Sequence, residues 1–143
     1  MGIVHRDLKP ENLLMASPAP DAKVKLADFG FAKVVPPGEQ LHDLSGTAGY
    51  VAPEVLAKSP TYGLSADMWS FGILLYIMLA GAMPFWAKED EDSFELTRKG
   101  EYDRSLLEKL TPSGRDLVIR LLSMDPSLRP TSAQALQEPW LIA

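Results

Sequence analysis

The sequence predicts an α+β fold that is mainly α, in which a small β-hairpin precedes a bundle of helices. Three observations support this prediction: two short segments with alternating apolar residues, a long loop rich in proline and glycine, and helical spacing of apolar residues from there on. The chain has 143 residues, of which 46% are hydrophobic and 23% are charged. These values are typical of one folded globular domain rather than a disordered chain.

The hairpin is predicted from the segments ENLLMA and KVKLAD, which are joined by the turn sequence SPAPDA. Apolar residues recur at every second position in both segments, namely Leu13, Met15, Val24 and Leu26. This alternation predicts strands that are buried on one face. The following loop, residues 28–53, is long, and loops of this length in compact domains are usually functional or disordered.

The first predicted helix covers SADMWSFGILLYIMLA, with Ser65 as its N-cap and Gly81 as its stop signal. Apolar residues occur around nearly its whole circumference, so we expect it at the centre of the core.

Three shorter helices are predicted after it. The segment DEDSFELTRK is amphipathic and ends at Gly100, as is typical of a surface helix. The segment TPSGRDLVIRLLS begins with a capping residue and carries Pro112 at an early helical position. The segment TSAQALQ has the pattern of a short capped helix that Pro139 closes.

Composition argues against several classes of protein. The net charge of −5 provides no basic footprint for nucleic acid, and the lack of cysteine excludes disulfides and thiolate metal sites. The amino terminus shows no secretory signal pattern. The most apolar stretch, residues 68–86, contains Gly72, Gly81 and Pro84, and it falls short of about 20 clean apolar residues. We therefore expect no nucleic-acid or membrane partner and a cytoplasmic or nuclear location.

Five motifs occur in order along the chain: HRDLKPEN, DFG, APE, DMWSFG and DPSLRP. The first three match the catalytic loop, the metal-binding triplet and the end of the activation loop of protein kinases. The chain therefore resembles the C-terminal lobe of a eukaryotic Ser/Thr protein kinase, and the wording of residues 72–86 is similar to the calcium/calmodulin-dependent kinase group. The resemblance covers residues 1–143 as a partial kinase domain, with an activation segment at 28–54.

This resemblance implies a phosphoryl-transfer site that uses ATP and Mg²⁺. Asp7 would accept or orient the proton of the substrate hydroxyl, and Lys9 would place a cation against the transferring phosphate. Asn12 and Asp28 supply the hard oxygen ligands that Mg²⁺ prefers. Taken alone, Asn12 would be interpreted as a strand-start residue, Asp28 as a turn former and Asp7 as a solvated loop residue.

Other positions are expected to be structural by the same resemblance. His5 and Phe29 resemble members of the apolar stack that couples the two kinase lobes, and Gly30 completes the DFG motif. Asp67 resembles the buried aspartate that braces the backbone of the catalytic loop.

Two ion pairs are also expected. Glu54 and Arg129 resemble the pair that ties the end of the activation loop to the late helices, the alternative being two unrelated surface charges. Asp43 stands three positions before Gly46, where kinases activated by loop phosphorylation carry the modified residue. Arg6 would normally bind that phosphate, and an aspartate offers it a weaker but permanent partner. This predicts a kinase that needs no phosphorylation there, the alternative being that Asp43 merely lies on a solvated loop.

Substrate preference is predicted from two further positions. Glu11 stands where basophilic kinases keep a carboxylate for an arginine before the target residue, and Phe31 resembles the residue associated with serine over threonine. The predicted partners are therefore proteins with a target Ser or Thr that has basic residues upstream. Ser45 is a second candidate phosphorylation site, whereas Thr47 is expected to hydrogen-bond with the catalytic loop. Calmodulin binding is expected only through regions absent from the sequence.

The first half of the kinase motif set is missing from the sequence, since no Gly-rich loop, VAIK-like lysine or preceding helix occurs. Without the N-terminal lobe, we expect the 143 residues to be inactive alone, with one side of the first helix uncovered. Met1 is interpreted as an internal methionine taken as a start, which makes the chain a fragment of an ATP-dependent Ser/Thr kinase. The alternative is a non-catalytic decoy, or a module that binds substrates or a regulator.

Overall fold

A computed structural model describes residues 2–142, so Met1 and Ala143 lie outside the described residues. It confirms the mainly α architecture. The strands are β1 (Gly2–Val4), β2 (Leu13–Met15), β3 (Val24–Leu26) and β4 (Lys33–Val35). The helices are α1 (Ser65–Ala80), α2 (Asp90–Lys99), α3 (Pro112–Leu121), α4 (Ser132–Ala135) and α5 (Pro139–Ile142). Short 3-10 helices cover Pro10–Asn12, Pro53–Leu56, Arg104–Leu107 and Pro126–Leu128.

The strands form two separate antiparallel pairs rather than one hairpin. β2 and β3 make the predicted hairpin, with Leu13 opposite Leu26. β1 pairs with β4, with Val4 opposite Lys33, and the sequence patterns did not predict this second pair. The two strands are three residues each and lie far apart in the chain, so they carry no local signal of their pairing.

The prediction that the hairpin is buried on one face was wrong. Its apolar side chains are exposed or only half-buried in the structure, and Met15 and Val24 expose 56% and 58% of their surface. Alternation indicates which side chains share a face, but it does not provide an element to cover that face. Among residues 2–142, no helix packs closely over this hairpin.

Helix α1 forms the centre of the core, as its apolar circumference predicts. Its residues Trp69, Ile73 and Tyr76 are almost fully buried, and α3 packs against it through Leu117 and Leu121, both fully buried. The ring of Phe85 stacks on Trp69 with centroids 5.4 Å apart. Offset aromatic stacking of this kind adds a directional contribution to the burial of apolar area.

The close approach of α1 and α3 depends on Gly72. A Cβ atom at this position would lie 2.8 Å from Cβ of Leu121, which is closer than two side-chain carbons can approach. The glycine in the DMWSFG motif therefore allows the two helices to pack without a gap.

Two predicted helix boundaries need correction. Ser65 is the first helical residue of α1 rather than its N-cap, and Leu64 precedes it without a side-chain cap. Pro139 does not close α4, which ends at Ala135, because this proline is instead the first residue of α5. Proline is favoured at a first helical position because its missing N–H would have no partner there.

Three other end signals are observed as predicted. Gly81 and Gly100 end α1 and α2 in the left-handed conformation, with φ of 71° and 67°. Thr111 caps α3 by accepting a hydrogen bond from the backbone N–H of Gly114.

One side of α1 is less covered than the rest. Met68 and Phe71 are half-buried and line an apolar groove of about 350 Å³ beside α4 and α5, and Met78 near the end of the helix is 68% exposed. Within residues 2–142, no helix combines the length and the apolar character that crossing a membrane requires.

Candidate active site

The backbone of the catalytic loop is held by Asp67 in the first turn of α1. Its two carboxylate oxygens accept hydrogen bonds from the backbone N–H groups of His5 (2.6 Å) and Arg6 (2.9 Å). Arg6 has φ of 72°, a left-handed conformation that is costly for a residue with a side chain. The two hydrogen bonds from consecutive N–H groups offset this cost. They also fix the direction of the backbone at the next residue, Asp7.

Asp67 is a costly group to place in this position. Burial raises its pKa, because water no longer solvates the carboxylate, while the hydrogen bonds from the His5 and Arg6 backbone act in the opposite direction. A carboxylate is the one side chain of this size that can accept two hydrogen bonds in this bidentate way.

Asp7, Lys9 and Thr47 form a closed ring of hydrogen bonds. Nζ of Lys9 lies 2.7 Å from Oδ2 of Asp7 and donates to Oγ1 of Thr47 at 2.9 Å. The Thr47 hydroxyl in turn donates to Oδ1 of Asp7 at 2.5 Å. The ring joins the catalytic loop to the activation segment and holds both carboxylate oxygens of Asp7.

The ring also decides the charge state of Asp7, which is buried with 4% exposure. Burial alone would raise its pKa, but the hydrogen bonds from Lys9 and Thr47 outweigh burial, and the pKa lies below the ordinary value. Asp7 is therefore ionised at neutral pH and accepts hydrogen bonds.

The catalytic loop anchors Ala27, the residue directly before Asp28, to Asn12 and His5. The backbone N–H of Ala27 donates to the Asn12 carbonyl oxygen at 2.8 Å, and the Ala27 carbonyl lies 3.0 Å from Nε2 of His5. The Asn12 amide nitrogen donates to the backbone oxygen of Asp7 at 2.8 Å and to its Oδ2 at 3.3 Å. The amide oxygen of Asn12 is thereby left as an acceptor.

These two residues fit a magnesium ion in their donor chemistry. Asp28 is exposed, has φ of 57°, and uses one carboxylate oxygen to accept the Gly30 N–H at 3.1 Å. Its second oxygen and the Asn12 amide oxygen are hard ligands, and Mg²⁺ typically takes one or two protein ligands together with phosphate oxygens and water.

The DFG triplet contacts the catalytic loop through its aromatic residue. The rings of His5 and Phe29 meet edge to face with centroids 5.0 Å apart. His5 is buried, whereas Phe29 is 55% exposed, so one side of the phenyl ring is open in the described structure.

Asp43 is the second acidic residue that the structure connects to the catalytic loop. Its Oδ2 lies 2.7 Å from Nη1 of Arg6 and 3.0 Å from Nζ of Lys33. The hydrogen bonds from Arg6 and then Lys33 lower the pKa of Asp43 to about 2. Tyr62 completes the arrangement, because its hydroxyl donates to the Asp43 backbone oxygen at 2.8 Å.

Lys33 and Tyr62 were missed by sequence reasoning. Lys33 lies 10 positions before Asp43 and Tyr62 lies 19 positions after it, and no periodicity relates them. The available signal was weak: Lys33 is a cation three residues after Gly30, in a segment expected to fold near Arg6.

Glu54 and Arg129 form the expected ion pair in bidentate geometry. Nη1 and Nη2 of Arg129 donate to the two carboxylate oxygens at 2.6 and 2.9 Å. Further hydrogen bonds reach the backbone oxygens of Ser65 and Ser123, and the guanidinium lies 5.0 Å from the centroid of the Trp69 ring. The Arg129 side chain has no exposed surface, so this pair is a buried connection between the end of the activation segment and the helices.

The remaining predicted residues lie around this centre. The Ser45 hydroxyl is buried and has no hydrogen-bond partner in the described residues, so its phosphorylation would require the segment to move. Phe31 is 50% exposed, and its backbone oxygen accepts a hydrogen bond from Nε of Arg6. Glu11 is exposed and, after the effect of burial, contributes to raising the pKa of Tyr50.

Comparison with known proteins relates the chain to protein kinases. The family model described as protein kinase domain matches residues 1–141. Calcium-dependent protein kinase 19 of Oryza sativa subsp. japonica is 45% identical over 143 residues, which cover 99% of this chain and 26% of the relative. Calcium-dependent protein kinase 21 of Arabidopsis thaliana is also 45% identical, with 99% and 27% coverage. The chain spans about a quarter of the length of these curated relatives.

The family match extends over nearly the whole chain. The chain therefore belongs to the protein kinase family. It is similar to the calcium-dependent Ser/Thr kinases within that family, at the same 45% identity to each of the relatives described.

Proposed function

We propose that this chain supplies the catalytic half of a protein Ser/Thr kinase, which transfers the γ-phosphate of ATP to a Ser or Thr hydroxyl of protein substrates. The observation that carries the proposal is the ring formed by Asp7, Lys9 and Thr47. A solvated surface loop does not need to join an aspartate, a lysine and a distant threonine within hydrogen-bond distance.

Two residues of the ring, Asp7 and Lys9, have a defined part in the transfer. Asp7, ionised at neutral pH, accepts the hydrogen bond of the incoming substrate hydroxyl and directs its oxygen toward the phosphorus. Lys9 stabilises the negative charge on the transferring phosphoryl oxygens. Orientation and charge neutralisation account for most of the barrier reduction in such reactions, so the low pKa of Asp7 suits the role.

Asn12 and Asp28 would hold Mg²⁺ in the substrate complex. The ion, when bound, neutralises charge on the phosphates of ATP. The chain contributes the fixed positions of the two ligands: Asn12 through its bonds to Asp7, and Asp28 through the anchored Ala27 and the contact with Gly30.

We further propose that Asp43 replaces the phosphorylated residue of the activation segment. Arg6 and Lys33 already contact its carboxylate, so two cations that could bind a phosphate have an acidic partner within the chain. A single carboxylate charge holds them less strongly than a phosphate with nearly two. The kinase would accordingly keep its activation segment in the active conformation without phosphorylation of this segment.

Substrate selection is proposed to depend on Glu11 and Phe31. Both are exposed. Glu11 stands two positions after Lys9 of the ring, and the backbone oxygen of Phe31 accepts a hydrogen bond from Arg6, the residue before Asp7. Substrates with a basic residue upstream of a target serine fit this arrangement, and a cytoplasmic or nuclear location fits such substrates.

The isolated 143 residues are proposed to be inactive, because they contain no Gly-rich loop or VAIK-like lysine to bind the ATP phosphates. The second candidate function is a non-catalytic module derived from a kinase lobe, and the open apolar groove beside α1 favours it. In that role the chain would bind a substrate or regulator and transfer nothing.

Transfer of labelled phosphate separates the two functions. The purified 143-residue chain and the longest natural product of its gene are incubated with γ-labelled ATP, Mg²⁺ and a basic serine peptide. We expect label on the peptide from the longer product and none from the 143 residues. If neither protein transfers label, the kinase proposal is contradicted and the binding module is supported.

A further inference from the structure

A second groove lies between the 3-10 helix Pro53–Leu56 and helix α2, and none of the four proposed catalytic or magnesium-binding residues lines it. It encloses about 650 Å³, which is within the range of clefts that bind ligands. Apolar side chains from three segments of the chain line it, namely Leu44, Val55, Leu56 and Phe94.

Leu44 gives this groove an apolar entrance near the catalytic loop. It exposes 64% of its surface, although a leucine gains free energy from burial. It directly follows Asp43, whose carboxylate contacts Arg6 in the catalytic loop. Through Asp43, this end of the groove is connected to the catalytic loop.

Glu91 and Glu95 form the charged wall of the groove. Nη1 of Arg98 bridges them, at 3.0 and 2.5 Å, and both bonds use the Oε1 atom of the glutamate. In the described part of the chain, no donor reaches the second oxygen of either carboxylate. Their side chains are 73% and 53% exposed, so each can accept a hydrogen bond from a basic partner.

The excess negative charge comes from the first turn of α2. The charges of the residues that line the groove cancel, because Lys58 and Arg98 are positive and the two glutamates are negative. Three more acidic residues stand at the start of the helix and have no ion pair among the described residues, namely Glu89, Asp90 and Asp92. An apolar groove with an acidic rim complements a peptide that is both apolar and basic.

We propose that this groove binds a segment of the protein substrate in which a large apolar side chain is flanked by Lys or Arg residues. That the partner is a protein substrate rests on the proposed function. That the bound segment is apolar and basic rests on the groove alone. A second copy of this chain is a poor occupant, because two molecules with a net charge of −5 repel each other.

The test is a binding measurement that does not depend on catalysis. The probe is a fluorescent dodecapeptide with a central Phe-Leu pair, two Lys or Arg residues on each side and no Ser or Thr. Its affinity for the purified protein is measured by anisotropy. We expect Leu44→Ser to weaken binding about tenfold, because the probe loses an apolar contact. Leu14→Ser, at a leucine on the hairpin that is also more than half exposed, should leave binding unchanged.

The charge requirement is tested with a matched pair of double variants. Glu91→Gln with Glu95→Gln is expected to weaken binding about fivefold. Asp21→Asn with Glu108→Gln removes the same charge from exposed positions that neither line the groove nor lie on α2, and we expect a change of less than about twofold because salt screens distant charges. Circular dichroism checks that all variants keep the native helix content.

Three results would overturn the inference: no binding of the probe, equal binding of a twin peptide with Glu in place of Lys and Arg, or no effect of Leu44→Ser. A Leu44-dependent dimer in sedimentation would also overturn it, because the occupant would then be a second copy. Probe binding without phosphate transfer by the longest natural product contradicts the proposed function and leaves the groove assignment supported.

Discussion

At the scale of single residues, the site depends on carboxylates that have been given different environments. Asp7 is buried and ionised within a ring of donors, Asp67 is half-buried and accepts two backbone hydrogen bonds, and Asp43 is half-exposed between two cations. The three therefore differ in what they can do. Asp67 fixes the loop, Asp7 is the proposed partner of the substrate hydroxyl, and Asp43 holds the activation segment against Arg6.

The role of Asp43 is tested by Asp43→Ala in the longest natural product of the gene. We expect the rate of phosphate transfer to fall about two- to fivefold, because the substitution removes one partly exposed pair of ionic contacts. Glu39→Ala is the control, since Glu39 is an exposed carboxylate on the same segment with no ion pair among the described residues. An unchanged rate for Asp43→Ala would show that this aspartate is only a solvated loop residue.

The same residue makes a prediction about pH. The pKa of Asp43 is about 2 in the folded protein, against 3.8 for the free side chain, so its ion pairs stabilise the fold above pH 3.8. That contribution is lost as the pH falls from 3.8 toward 2. Carboxyl-carbon NMR should show Asp43 still ionised at pH 3. Titration near 3.8 would mean that Arg6 and Lys33 do not contact it in solution.

At the scale of secondary-structure elements, two contacts attach the activation segment and α3 to helix α1. The buried Glu54–Arg129 pair bonds to the backbone oxygen of Ser65 at the start of α1, and Gly72 allows α3 to approach that helix. Both contacts are far from Asp7 along the chain. They position the site by holding the elements that carry it.

Removal of one partner of the buried pair should destabilise the protein strongly. We expect Glu54→Gln to lower the free energy of unfolding by about 3–5 kcal/mol, because Arg129 is left charged and buried without its carboxylate. Asp116→Asn breaks an exposed pair with Arg120 and should cost less than about 1 kcal/mol. Urea unfolding measures both, and equal costs for the two variants would contradict a buried pair.

Gly72→Ala sets two effects against each other. Alanine is favoured over glycine inside a helix by about 1 kcal/mol, but its Cβ would clash with Leu121, and overpacking typically costs about 1–3 kcal/mol. We expect a net loss of about 1 kcal/mol in the free energy of unfolding. Gly63→Ala is the control, because no atom lies within 4 Å of its added Cβ. A stabilised Gly72→Ala protein would mean that α1 and α3 do not pack this closely.

At the scale of the whole molecule, sequence patterns predicted the elements better than the contacts between them. Helical spacing located α1, α2 and α3, and the motif order placed Asp7, Asn12 and Asp28 in one family context. Motif order could do this because the catalytic loop and the DFG triplet carry fixed residue types at fixed spacing.

Pairings across long stretches of chain could not be predicted in the same way. The β1–β4 sheet joins two three-residue strands without any periodic signal, and the Lys33–Asp43 contact depends on where the activation segment folds back. The exposure of Met15 was mispredicted because alternation cannot show whether another element covers a face. Tertiary packing decides these features, and the residue pattern of a single sequence does not reveal that packing.

The most direct test of the central claim is the effect of Asp7→Asn on phosphate transfer by the longest natural product of the gene. Single-turnover transfer to a serine peptide is measured for the native protein and the variant, with nucleotide affinity measured in parallel. We predict that transfer falls about 10²- to 10⁴-fold, while nucleotide affinity changes little because Asp7 acts on the hydroxyl. Transfer at the native rate by Asp7→Asn would contradict the assignment of this residue, and with it the proposed mechanism.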